Sequence, residues 1–218
     1  MANNNNGSQS GSNDLGERAY EIARRRQAAA LEVVAMLEDQ LDTWFESSAA
    51  SLLRACAWLA ATSLYRSFAS GTNLEPGAPV LSDKSNEEGL KMLKVFMFLV
   101  DKDGIQLKPD DFAAELPAEL KPRKNILEVQ ARFQERYNEI MQRHQFDYLE
   151  GAKTGAVACA RLLKLHCLNR SDLEPRMAAS IVSSGFVEGV KTAPARLDGE
   201  GGAAAPRRAE RAARWKAE

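Results

Sequence analysis

The strongest constraint on the fold is an apolar seam that recurs at intervals of three and four residues through the second half of the chain. The seam begins at Ile126, ends at Leu165, and includes Phe133, Tyr137, Ile140, Tyr148, Ala158 and Leu162. Such spacing places the side chains on one face of an α-helix, and another helix must cover that face. A shorter seam of the same kind runs from Tyr20 to Trp44. Two seams in one chain predict an all-α, elongated helical bundle with two long helices.

The composition agrees with this prediction. The chain has 34 Ala and 24 Leu but only 10 Val, 5 Ile and 5 Thr. Ala and Leu lose little conformational freedom in a helix, whereas β-branched residues suit the pleated surface of a sheet. We therefore expect a bundle of about five core helices.

The chain divides into three parts. Residues 1–13 are rich in Asn, Gly and Ser, which predicts a flexible, disordered tail. Residues 14–190 carry the helical patterns and form the predicted helical bundle domain. Residues 191–218 begin as a linker and end in a short, basic, helix-prone tail.

Helix boundaries are less well defined. The pattern leaves open whether residues 15–70 form one helix or two. Ser85 and Glu88 form a capping box, which opens a helix containing the run LKMLKVFMFLV at residues 90–100. So apolar a run predicts a helix buried most of the way round. The longest predicted helix starts near Pro122, and unbroken to Leu168 it would be about 70 Å long.

Charge and hydropathy exclude several classes of protein. The formal net charge of -1 gives no general attraction to nucleic acid or to anionic membranes. The first thirteen residues have no basic start and no apolar core, so no secretory signal is expected. The most apolar long stretch, residues 49–69, contains Arg54 and Arg66 and falls short of a membrane span of about 20 apolar residues. We therefore expect a cytoplasmic protein without a transmembrane span.

The three cysteines do not suggest a disulfide or a metal site. Cys159 and Cys167 lie about 12 Å apart along one predicted helix, whereas a disulfide needs Cα atoms within about 7 Å. We expect these thiols and Cys56 to be reduced and buried. Cys159 and His166 differ in height by roughly 10 Å, which is too far for one ion. No HxxE or HExxH pattern occurs, so we expect no metal and no cofactor.

The most chemically suggestive group is His144 with Asp147 and Tyr148. Spacings of three and four place both residues beside His144 on adjacent rows of a continuous helix. Asp147 would then orient the imidazole, and His144 would act as acid, base or metal ligand. The alternative is a polar layer that fixes the register of the seam. Two successive intervals of four surround His144, and there we expect any supercoil to relax.

Two pairs of glycines mark expected close helix contacts. They are Gly151 with Gly155 and Gly185 with Gly189. Because glycine costs about 1 kcal/mol in a helix relative to Ala, four of them need a structural reason. Close approach of two helix backbones supplies one, and the two segments are candidates for each other's partner. A ligand lying against bare backbone is the alternative.

Two basic clusters are candidate contacts for a protein partner or for nucleic acid. One is the triplet Arg24, Arg25 and Arg26, whose acidic neighbours also favour a solvated helix face. The other lies in the C-terminal tail and comprises Arg207, Arg208, Arg211, Arg214 and Trp215. This tail is either a tethered recognition peptide or a disordered end.

Together these features favour a non-catalytic helical interaction or accessory subunit that acts through protein–protein contacts or self-association. The two seams and the scarcity of chemically reactive residues are the grounds for this hypothesis. An accessory subunit of a nucleic-acid-binding complex is the second hypothesis, based on the basic clusters. A helical-bundle metal carrier or enzyme centred on His144 is the third.

Overall fold

The computed structural model describes residues 10–69 and 74–197, with side chains from residue 16 onward. Over these residues the protein is all-α and contains no β-strand, which confirms the predicted fold class. The α-helices are α1 (Ser10–Glu38), α2 (Ala49–Phe68), α3 (Asp83–Lys102), α4 (Ile126–Arg143), α5 (Tyr148–Lys164) and α6 (Pro175–Val190). Two 3₁₀ turns, Pro109–Ala113 and Ala118–Leu120, connect α3 to α4, and a π-helical turn, Leu165–Asn169, follows α5. None of the described helices is both long and apolar enough to cross a membrane.

Helix α2 is the centre of the bundle. Every residue from Ala49 to Arg66 is buried, and half of the positions of the helix are Ala, Ser or Cys. Helices α4, α5 and α6 all pack against it. The small side chains of α2 let these neighbouring helices approach closely. Each small side chain buries little apolar area, but α2 as a whole is covered from several sides.

The four glycines lie on opposite flanks of α2. A Cβ built at Gly155 of α5 would lie 2.4 Å from the Ala60 Cβ, and one at Gly189 of α6 would lie 2.5 Å from the Ala61 Cβ. Gly185 packs on Ala57 in the same way, with 2.8 Å between the two Cβ positions. The glycines therefore do sit at close helix contacts, and α2 is the partner of Gly155, Gly185 and Gly189. A Cβ at Gly151 would instead lie nearest to Met141 of α4, 3.2 Å from its Cγ, and the two glycine pairs do not face each other.

Residues 15–70 form two helices. Helix α1 ends at Glu38, and Glu46 and Ser47 adopt positive φ values of 53° and 58° before α2 begins. The Ser48 side chain accepts a hydrogen bond from the amide of Ser51 and so caps α2. The turn is anchored by its aromatic residues, since the ring of Phe45 stacks on Phe133 of α4 with centroids 5.6 Å apart.

The long helix predicted from Pro122 to Leu168 is broken. Asn125 caps the start of α4, and His144 is the C-cap that follows its last residue, Arg143. The next residue, Gln145, has a φ of 56°, which no regular α-helix contains. Asp147 then caps α5. The break falls where the seam shows its two intervals of four, so the irregular spacing reflects a turn and not a relaxed supercoil.

Helix α3 differs from its prediction as well. Its apolar run predicts burial most of the way round, but its buried residues form a single stripe. The stripe consists of Ser85, Gly89, Met92, Phe96 and Val100. The reason is its position, because α3 packs on α5 and α6 from one side only. Leu90 and Phe98 consequently remain 60% and 66% exposed.

The C-terminal part of the described chain also packs on the body. The amide of Ala193 donates to the carbonyl of Ala78 at 2.9 Å, and Ala193 is 2% exposed. Residues 191–197 of the predicted linker are therefore placed against the loop that precedes α3. Residues 1–9 and 198–218, with most of the two predicted tails, lie outside the described residues.

The contact between Gly155 and Ala60 gives a direct test of the fold. We expect Gly155→Ala to lower the free energy of unfolding by about 2–3 kcal/mol, because two helix backbones would have to separate. Gly16→Ala on α1 is the matched control, since a Cβ there meets nothing within 4 Å. That control should gain about 0.5–1 kcal/mol.

Urea denaturation followed by circular dichroism measures both changes, and the double variant Gly155→Ala/Ala60→Gly completes a cycle. A coupling free energy near zero between positions 155 and 60 would contradict the contact.

Candidate functional site

His144 does not form a cluster with Asp147 and Tyr148. Its Nε2 atom lies 2.6 Å from Oε1 of Glu32 on α1, and Arg143 pairs with the same carboxylate. The Asp147 side chain instead accepts a hydrogen bond from the amide of Glu150. Tyr148, the first residue of α5, is 37% exposed. These three residues do not share one helix, because α4 ends at Arg143 and α5 begins at Tyr148.

The carboxylate of Glu32 ties α1 to the end of α4. The hydrogen bond from His144, followed by that from Arg143, lowers the pKa of Glu32 below its ordinary value. His144 also lies over the ring of Phe146, with centroids 6.3 Å apart. His144 thus fixes the end of α4 against α1, and its ring already has a hydrogen-bond partner in Glu32.

Two of the three arginines in the N-terminal triplet are used inside the molecule. Arg25 donates to the carbonyl of His144 at 3.3 Å, and its guanidinium lies over the Phe146 ring at 5.5 Å from the centroid. Arg26 forms an ion pair with Glu150. Arg24 pairs with Glu21 one turn earlier on α1 and is solvated. The triplet therefore attaches α1 to the junction of α4 and α5.

The carboxylate of Glu150 shows how firmly this junction is paired. Burial raises its pKa, but hydrogen bonds from Lys153 and Arg26 outweigh burial, so the pKa is lowered overall. The candidate contact residues of the tail lie outside the described residues; they are Arg207, Arg208, Arg211, Arg214 and Trp215.

His166 is the more tightly held histidine. It is fully buried, its Nε2 lies 2.8 Å from Oε1 of Glu38, and its Nδ1 lies 3.0 Å from both carboxylate oxygens of Asp172. Both ring nitrogens of His166 therefore face carboxylates, one from α1 and one from the chain that follows the π-helical turn. The ring links the end of α1 to the chain after the π-helical turn. Sequence periodicity assigns His166 to the core but gives no sign of its two acidic partners.

The two histidines should differ in their contribution to stability. We expect His166→Leu to lower the free energy of unfolding by about 2–3 kcal/mol, because the carboxylates of Glu38 and Asp172 lose a fully buried hydrogen-bond partner. Glu38 retains Arg170 at 2.6 Å, which limits the loss. His144→Leu is the matched control, and about 1 kcal/mol or less is expected because Glu32 is 40% exposed and keeps Arg143. Urea denaturation of both variants decides this, and equal losses would contradict the assignment.

All three thiols are free and buried. Cys56 points at the carbonyl of Gly155, 3.8 Å away, and burial together with neighbouring Cys56 raises the pKa of Cys159. Burial and the charge of Asp172 raise the pKa of Cys167 to about 12. A thiol held protonated is a poor nucleophile, so Cys159 and Cys167 are not arranged for chemistry.

This arrangement predicts slow thiol modification. In native protein at mildly alkaline pH, we expect a thiol-specific aromatic disulfide reagent to react at least about 100-fold more slowly than in denaturant. Absorbance of the released thiolate measures both rates, and all three thiols should react once the chain is unfolded. Fast modification of even one equivalent in the native state would contradict the burial described above.

The structure also contains a groove that the sequence did not indicate. It has a volume of about 630 Å³ and lies between α6 and the segment 112–121. The segment is held on α6 by a hydrogen bond of 2.6 Å from the Ser180 hydroxyl to the carbonyl of Ala114. Phe112, Leu116 and Val187 provide apolar walls.

Arg54 reaches this groove from α2. It is 6% exposed, and burial lowers the pKa of its guanidinium although the charge of Glu188 opposes the change. Its Nη1 lies 3.4 Å from Oε2 of Glu188, and the same oxygen accepts a hydrogen bond of 3.0 Å from the indole of Trp58. In the sequence Arg54 is notable only as a charge within an apolar helix.

A second feature absent from the prediction is the outer face of α3. Leu90, Lys94 and Phe98 follow one another at intervals of four and form one row, with Val95 beside it at 38% exposure. Lys91, on the same side, pairs with Glu88 at 2.8 Å. The signal for this face was present in the sequence as an apolar run, but which side the bundle would cover was not.

Within the part of the chain that the structure describes, no three His, Cys, Asp or Glu side chains are grouped so as to hold a metal ion. Comparison with known proteins gives no family model, no curated protein and no solved structure that matches this chain.

Proposed function

We propose that this protein is a non-catalytic interaction subunit that binds a partner protein through the outer face of α3. The proposal rests on the exposure of Leu90 and Phe98, at 60% and 66%, within the apolar run of residues 90–100. Exposed large apolar side chains that cluster on one surface are typical of protein interaction sites.

The row on α3 favours a partner of particular chemistry. Lys94 stands between Leu90 and Phe98, so the face presents one cation with an apolar side chain on each side. Among the described residues, no carboxylate pairs with Lys94. An amphipathic helix of the partner that carries an acidic residue between two apolar residues would complement the row in both shape and charge.

A second copy of this chain fits the row less well. Antiparallel pairing about a two-fold axis at Lys94 would bring Leu90 of each chain onto Phe98 of the other. The same pairing would oppose Lys94 to itself and Glu87 to Asp101. Like charges placed opposite each other in an interface cost several kcal/mol, so a different protein with an acidic face is the favoured occupant.

Two designed helical peptides test the proposal. One carries Leu, Glu and Leu at four-residue intervals, and the other has Lys in place of Glu. By fluorescence anisotropy we expect the Glu peptide to bind at least about tenfold more tightly than the Lys peptide. Lys94→Glu should reverse this preference, and Leu90→Ser with Phe98→Ser should abolish binding of both peptides.

Leu81→Ser is the matched control, because Leu81 is an apolar residue that is 93% exposed and lies before α3. It should leave peptide binding unchanged. Equal affinity for the two peptides, or binding that survives Leu90→Ser/Phe98→Ser, would refute the proposal. A concentration-dependent dimer in sedimentation that dissociates in the same double variant would assign the face to a second copy instead.

A further inference from the structure

We infer that the groove beside α6 is a binding site for a singly charged carboxylate with an apolar body, and that Arg54 holds the carboxylate. This site is separate from the outer face of α3 and does not depend on it. The inference starts from the incomplete pairing of a buried cation.

The guanidinium of Arg54 has five N–H donors, but most of them have no acceptor. Among the described residues it donates one hydrogen bond, the 3.4 Å contact to Glu188. Its Nε atom is buried and has no hydrogen-bond partner. Buried polar groups in folded proteins are almost always paired, so a buried arginine with unused donors beside a groove indicates a missing acceptor.

Glu188 does not satisfy the remaining donors of Arg54. Its side chain is 47% exposed, and one oxygen is shared between Arg54 and the indole of Trp58. A planar guanidinium binds a carboxylate best through two parallel hydrogen bonds, but Arg54 makes only one to Glu188. The shared oxygen instead leaves the outer edge of the guanidinium for a second carboxylate.

The charges around the groove favour a monoanion. Arg54, Lys121 and Lys191 contribute three positive charges, and Glu115 and Glu188 contribute two negative charges. A single negative charge on the ligand therefore balances the site. A dianionic phosphate group would add a charge that the two carboxylates repel.

The apolar walls indicate what the carboxylate is attached to. Phe112, Leu116 and Val187 line the groove, and Ser183 supplies a hydroxyl with no partner among the described side chains. A small aryl or alkyl carboxylate and the C-terminus of a peptide that ends in an apolar residue share this chemistry. Both contain one carboxylate and an apolar group that the walls can cover.

The indole N–H resonance of Trp58 reports on the site, because that N–H donates to the carboxylate of Glu188. The ligand pairs are phenylacetate with phenylacetamide, and N-acetyl-Ala-Ala-Phe with its C-terminal amide. We expect each carboxylate to shift the Trp58 signal saturably with a Kd of about 1 mM or tighter, and each amide to bind at least about tenfold more weakly. Tighter binding of the peptide acid than of phenylacetate identifies a protein C-terminus as the source, and the reverse identifies a small molecule.

Three variants assign the contact. Arg54→Met should abolish the shift, whereas Arg24→Met removes the same charge from solvated α1 and should leave it unchanged. Glu188→Gln should strengthen carboxylate binding by about threefold or more, because the competing charge is gone while the amide oxygen still accepts from Trp58. This last variant keeps Arg54, so it tests the inference even if Arg54→Met does not fold.

Equal binding of acids and amides would overturn the inference, as would no shift at millimolar ligand. Weaker carboxylate binding in Glu188→Gln would likewise show that Arg54 is a structural partner of Glu188 alone.

Discussion

The whole bundle depends on the near contact of helix backbones along α2. Gly155 brings α5 against Ala60, and Gly189 brings α6 against Ala61, on opposite flanks of the same helix. At these two contacts the helices are so close that only alanine and glycine fit between them. The approach of α6 also places Glu188 within reach of the Trp58 indole, so the surroundings of Arg54 follow from a backbone contact.

The sequence predicted those parts of the fold that depend on local periodicity. The seams identified the buried faces of α4 and α5, and the glycine pairs marked where helices come together. On α1 the predicted face is buried only in its second half, at Ala30 and Leu37, whereas Tyr20 at its start is 73% exposed. The break at Gln145 was missed because no Gly or Pro marks it, and a positive φ at Gln is set by the packing around it. The burial of α3 was overestimated because an apolar run does not reveal how many of its sides have neighbours.

The candidate sites were harder to predict, because their partners are remote in sequence. His144 and Glu32 are 112 positions apart, and His166 and Glu38 are 128 apart. A spacing argument within one helix finds Asp147 next to His144, but the pairing is decided by which helix lies alongside. The role of Arg54 was missed for the same reason, because its acidic partner and apolar surroundings come from α6 and from the segment 112–121.

The central place of α2 has a consequence for the synthesis of the chain. Trp58 meets Glu188 across 130 positions, and Cys56 meets Gly155 across 99. At about 5–20 residues per second, translation leaves α2 without its covering helices for roughly 10 s after it has been made. During that interval a helix that is buried along nearly its whole length in the folded protein lacks α5 and α6, which cover most of it. Until α6 is complete, the nascent chain therefore exposes apolar surface of α2 that chaperones or other nascent chains can bind.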